Sequence, residues 1–192
     1  MPSNNTATNV TTGKPNPAGS VYVAPRGTTL PTDATTALGA AFTCLGFVSE
    51  DGLSNSNEVS VSDIKAWGGL IVYSSVDEFT DAFGLKLIES LNVDVLKTVY
   101  GSNNVTVDGS GNIKVKVNAN SFDSKVWVFD LSMRDGTATR IVIENGSITS
   151  RDEITYNDSD AVAYGITITA YPAGSDNDTH IIYVDPGESP SY

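Results

Sequence analysis

Apolar and polar positions in this chain recur with two periods, and the period of two dominates. In residues 125–133 (KVWVFDLSM), Trp127, Phe129, Leu131 and Met133 share one parity, as on a strand with a core face. Trp127 is therefore expected in the core. A turn at Arg134-Asp135-Gly136-Thr137 leads into residues 138–144 (ATRIVIE). Val105 and Val107 pass through Asp108-Gly109-Ser110-Gly111-Asn112 into Ile113, Val115 and Val117, and residues 161–171 turn at 172–178 into 179–184. Each of these pairs reads as a hairpin. Upstream, Val21 to Val23 opens a strand that Pro25 ends, and residues 41–48 read as a short buried strand. Residues 70–73 and 78–88 predict two more, and Phe79, Phe83, Leu85 and Leu87 give the second a core face interrupted by Asp81. The polar stretch 49–63, with turn chemistry at Asp51-Gly52 and Ser54 to Asn57, predicts a loop.

The helical period is found once. Asn92 is a natural N-cap, Asp94 falls in the first turn, and Gly101 is a natural stop after Tyr100. Val95 with Val99 and Leu96 with Tyr100 give the segment one apolar face. At about nine residues it is too short to stand alone and must pack on the sheet. The expected fold is mainly β, a sandwich or barrel-like body with one short flanking helix, about Asn92 to Tyr100. Polar arms flank a body of residues 21–184: an N-terminal arm of residues 1–20 and a C-terminal arm of residues 185–192.

Composition narrows the function. The 192 residues carry 11 Lys+Arg against 23 Asp+Glu, a net charge of −12. That balance opposes sequence-specific nucleic-acid binding and docking on anionic membranes. The first twenty residues lack the charged start and apolar centre of a secretory leader, so synthesis in a cytoplasm and no membrane insertion are expected. Six Asn-x-Ser/Thr triplets, at Asn4, Asn9, Asn104, Asn145, Asn157 and Asn177, then reflect abundant Asn, Ser and Thr rather than glycans.

Motifs for chemistry are missing. A single cysteine, Cys44, and a single histidine, His180, leave no zinc-ligand cluster. Neither a phosphate-binding glycine loop nor a nucleophile elbow is present. Asp176-Asn177-Asp178 begins like a calcium loop but lacks its glycine and closing glutamate, so it reads as a turn. No catalytic residue, cofactor or metal is expected, and the chain is read as a non-enzyme. Trp67, just before Gly68-Gly69, fits either a core plug or an interface anchor.

The order of segments AGSVYVAP, LGFVSEDGL, VSDIKAWGG, VDEFTDAFGLKLIESLNVDVLKTVYG and RIVIENGSITSRDEITYNDSDAVAYGITITAYP resembles the major tail tube proteins of bacteriophages with long, non-contractile tails. The likeness spans residues 18 to 184 and is densest at 65–69, 92–101 and 163–172. It implies a structural virion protein, made in the host bacterial cytoplasm and resident in the virion tail. Six copies would form a ring, and stacked rings would form a tube whose lumen conducts the double-stranded genome during ejection. Implied partners are other copies of the chain and the tape measure, tail-tip and tail terminator proteins, with non-specific passage of DNA. By position, residues 49–63 would be the loop that bridges copies. Glu50, Asp51, Leu53, Asn55, Asn57, Glu58 and Trp67 are then the candidate inter-ring or intersubunit contacts, and no residue is assigned to the lumen. The alternative is a non-enzymatic β-sandwich binding module, for adhesion or carbohydrate, on a virion or cell surface.

Overall fold

The computed structural model describes residues 10–16, 20–119, 123–133 and 136–186. In chain order the strands are β1 (Gly13–Pro15), β2 (Val21–Pro25), β3 (Thr43–Cys44), β4 (Val48–Lys65), β5 (Ile71–Leu87), β6 (Val105–Val107) and β7 (Ile113–Val115). They continue with β8 (Lys125–Met133), β9 (Ala138–Arg151), β10 (Tyr164–Ala170) and β11 (Ile181–Asp185). One helix, α1 (Val93–Tyr100), follows β5. A nine-stranded sheet runs β3-β2-β8-β9-β10-β5-β4, with β1 also on β8 and β11 also on β9, and β6 pairs β7 separately.

The sheet is rolled. Phe83 on β5 and Phe129 on β8 stack with ring centroids 5.8 Å apart, although their strands are three places apart in the sheet. In a flat sheet that spacing would be about 14 Å. Strand β9 serves both sides of the roll: residues 138–142 carry β11 and residues 146–151 carry β10. Gly146 sits where the strand turns the corner, directly under Trp127, whose Nε1 donates to the Gly146 carbonyl at 3.2 Å. Trp127 is buried, as its alternation predicts.

Inside the roll, Val21, Phe83, Leu85, Trp127, Phe129 and Ile166 share one apolar cluster with Val95, Leu96 and Val99 of α1. The helix is terminated as its sequence dictates. Asn92 accepts the Asp94 N–H at 3.0 Å, and Gly101, at φ 92°, donates its N–H back to the Lys97 carbonyl. The other face of β8 buries Val126 and Val128 with Ala24 and Val142, covered by Leu30, Leu38 and Phe42 of the preceding connection. Arg140 ties that connection down. Its guanidinium holds the Asp130 carboxylate by two bonds (2.6 and 2.9 Å) and donates to the carbonyls of Asp33 and Thr36.

Several expectations need correction. The polar segment 49–63 is not a loop; it lies wholly within β4. The strands expected at 70–73 and 78–88 are one strand, β5, with a bulge at Asp77 where a break was read. Of residues 41–48, only Thr43–Cys44 pair before β4. Gly46 at φ 77° turns the chain outward there, and Glu89 takes the Phe47 N–H. Strand β11 pairs with β9 rather than forming a hairpin with β10, because the long connection between them lets it step past its neighbour. Within the N-terminal arm, Gly13–Pro15 pairs with β8; residues 1–9 and 17–19 lie outside the described residues. In the C-terminal arm, Asp185 closes β11, and residues 187–192 lie outside them, as do Arg134 and Asp135 of the expected turn.

Candidate functional site

The feature that departs most from a closed body is the β4–β5 hairpin. Strand β10 covers β5 only from Asp81 to Leu87. Among the described strands, residues 71–80 pair with β4 alone. The two strands therefore leave the body as a free ribbon about 30 Å long. A two-stranded ribbon is marginal in water on its own, and among the described strands β4 also ends the sheet with an unpaired outer edge.

Register assigns the ribbon's faces. Val59 lies opposite Phe79 and Val61 opposite Val76, so these four share a face. Ser60 opposite Glu78 and Ser62 opposite Ser75 take the other. The apolar face continues the core face of β5: Phe83 is fully buried, whereas Phe79, four residues further out, is 50% exposed. Val59, Val61 and Val76 are more than half exposed. At the tip, the Gly69 N–H donates to the Ala66 carbonyl and the Ala66 N–H to that of Leu70. Gly68 and Gly69 take positive φ values (106° and 90°), which a side chain would resist. Trp67 stands fully exposed on that turn; it is not a core plug.

The seven candidate contacts all fall on this hairpin but not in one cluster. Glu50 and Glu58 are exposed. Leu53 packs partly against the core. Asp51 is paired with Lys86 at 2.7 Å in the open. The Lys86 ammonium holds the Asp51 carboxyl below the usual range, first by its hydrogen bond and then by its charge, and the carboxylate raises Lys86 by the same two causes. Asn57 donates to the Asn55 side-chain oxygen, and Asn55 donates to Asp81 Oδ1, both at 2.8 Å.

Asp81 is where sequence reasoning stopped short. It interrupts an apolar stripe and is completely buried. Its second oxygen lies 2.6 Å from Nδ1 of His180, and the imidazole meets the Phe83 ring edge-on at 5.1 Å. The misplaced carboxylate was itself the signal, but its partner is 99 residues away, and spacing alone does not connect them. Among the described residues no hydroxyl or thiol hydrogen bond to His180 is found beside its contact with Asp81. No group of three or more His, Cys, Asp or Glu gathers among them as a metal site, and no helix is long and apolar enough to cross a membrane.

Comparison with known proteins follows the same direction. Residues 2–190 match a family described as phage tail tube protein. A search of curated proteins returns no match to this chain. Among solved structures, a chain in the cryo-EM structure of the anti-feeding prophage cap, a tube-terminating cap, is similar at 12% identity. It covers 90% of this chain and 93% of its own, with a TM-score of 0.47.

Proposed function

The chain belongs to the phage tail tube protein family, and from that premise we propose that its copies close into hexameric rings that stack into a tube. The family is structural rather than enzymatic, and the chain is a component of the virion tail. The tube's lumen conducts the double-stranded genome during ejection, after the tape measure protein has left it. Tail-tip and terminator proteins close its two ends, and synthesis takes place in the host bacterial cytoplasm.

The observation that supports this reading is the uncovered stripe of Val59, Val61, Val76 and Phe79 beside the exposed Trp67. These four side chains are already about half covered, so burying the rest is worth roughly 1 kcal/mol each. A ribbon that leaves one end of a body and lies on a different surface of the next copy makes a head-to-tail contact. Contacts of that kind close into rings or propagate as filaments, and a tube needs both.

Negative-stain electron microscopy with light scattering on concentrated protein tests the proposal. Rings or tubes with a central channel are expected, and Trp67→Ala should raise the concentration at which they form. A chain that stays monomeric at every concentration, even with tail-tip components added to start growth, would overturn the reading in favour of a binding module.

A further inference from the structure

We propose that the Asn57–Asn55–Asp81–His180 chain of side-chain hydrogen bonds is a latch that sets the register and direction of the β4–β5 ribbon, with His180 as its positioning residue. The inference rests on the ribbon being the assembly contact, but the latch can be measured without assembly.

Asp81 occupies the last position at which β5 is still paired to β10, opposite Ala170. Everything beyond it is ribbon. On one side of this boundary the stripe is buried at Phe83 and Leu85; on the other it is exposed at Phe79. An apolar residue at 81 would simply continue the stripe. A fully buried carboxylate there is costly unless donors meet it, and the two that do come from different elements. Asn55 reaches Oδ1 from β4, diagonally across the pair. His180 reaches Oδ2 from the residue before β11. The tautomer that carries its hydrogen on Nδ1 makes this bond as the donor.

On β4 the exposed rungs repeat valine and serine from Val59 to Ser62, a pattern with little of its own to resist a slip in register. The two-rung slip that brings Leu53 opposite Phe83 would keep the valines on the apolar face but take the Asn55 amide away from Asp81 Oδ1, leaving a buried carboxylate short of a donor. Buried polar groups that cost stability while selecting one register are the best-attested use of such contacts. His180 adds what Asn55 cannot. It anchors the root of the ribbon to the segment entering β11, a strand held by β9, so the angle at which the ribbon departs is fixed to the body.

Two neighbouring carboxylates of the hairpin have partners of their own. Asp51 is engaged by Lys86, and Asp77 is engaged by the hydroxyls of Ser62 and Ser75.

The test uses the full chain with His180→Leu, which keeps bulk without a donor, and His180→Asn, whose amide nitrogen can take the place of Nδ1. Amide hydrogen exchange on unassembled protein should show residues 56–80 exchanging at least tenfold faster in His180→Leu. The core amides of β8 and β9 should keep their protection. In His180→Asn, ribbon protection should return most of the way to the parent value. Where the parent chain forms tubes, His180→Leu should form them at least tenfold more slowly and His180→Asn near the parent rate. Unchanged ribbon exchange in His180→Leu overturns the latch, and so does a uniform rise across ribbon and core. A parent chain that never assembles would sink the tube reading while the exchange result still decides the latch.

Discussion

At the scale of single residues, the fold depends on a few places where a side chain has no room or a charge has no water. Gly146 is the clearest. A Cβ there would lie 2.8 Å from Trp127 Cδ1, 3.0 Å from Ile168 Cγ2 and 3.1 Å from Ile143 Cγ2. All three neighbours are buried at the corner of the roll and cannot swing aside. Gly146→Ala should therefore destabilise the body by about 1–3 kcal/mol, as overpacking does, read as a lower denaturant midpoint with an unchanged slope. Gly84 offers the control, since its added Cβ would meet only the Ser54 hydroxyl, at 2.7 Å, an exposed group that can turn away at the cost of its 3.2 Å bond to the Gly84 carbonyl. A smaller loss is expected there. Asp33 illustrates a different constraint. The Thr36 N–H and hydroxyl, with the Thr35 N–H, hold its carboxyl down to about 2, so it keeps its charge, and its hold on that turn, well below ordinary carboxylate pH.

At the scale of elements, legibility in the sequence followed burial. The helix was readable to the residue because Asn92, Asp94 and Gly101 do local work that does not depend on what surrounds them. Trp127 was readable because β8 alternates against a core. The hairpin was not, because half of it has no core to alternate against in a single copy. Residues 49–57 carry Ser, Asn, Asp and Glu that resemble a loop, and only the short alternation Glu58-Val59-Ser60-Val61-Ser62 hinted at a strand. The break read between 73 and 78 is a bulge at Asp77, which register shows and composition cannot. The Asp81–His180 contact was hidden for a different reason: it is tertiary, and depends on β11 joining β9. This anatomy also shows where to cut. Removing Ser54 to Asn57 would strip Asn55 from Asp81 and shift pairs that belong to the body. Replacing residues 60–78 with a two-residue Asn-Gly turn keeps the latch and removes Val61 and Val76, half of the apolar stripe, together with the tip and Trp67. Because the removed rungs pair only with one another, thermal unfolding of the shortened chain should match the parent, while ring and tube formation should be lost. A shortened chain that still builds tubes would remove the ribbon from the contact.

At the scale of the whole molecule, charge and apolar surface pull in opposite directions. The hairpin carries Glu50, Asp51, Glu58, Asp63, Asp77, Glu78 and Asp81 against Lys65 and Lys86, so seven acidic groups face two basic ones. It contributes five of the chain's net twelve negative charges. Bringing that ribbon onto another copy with the same net charge is opposed at long range. The attraction that must prevail is apolar and short-ranged, and salt leaves it largely intact. Raising ionic strength shrinks the screening length from about 30 Å at 0.01 M to about 8 Å at 0.15 M, so repulsion fades while the stripe's contribution remains. Tube growth followed by light scattering should accordingly accelerate several-fold between those two salt concentrations, and the shortened hairpin should show no such response. The reverse trend, slower growth with added salt, would mean that ion pairs rather than the apolar stripe carry the contact. The exposed carboxylates of the ribbon would then be seeking cations on the neighbouring copy, and Glu58→Gln would be expected to weaken assembly where Val61→Ser would not.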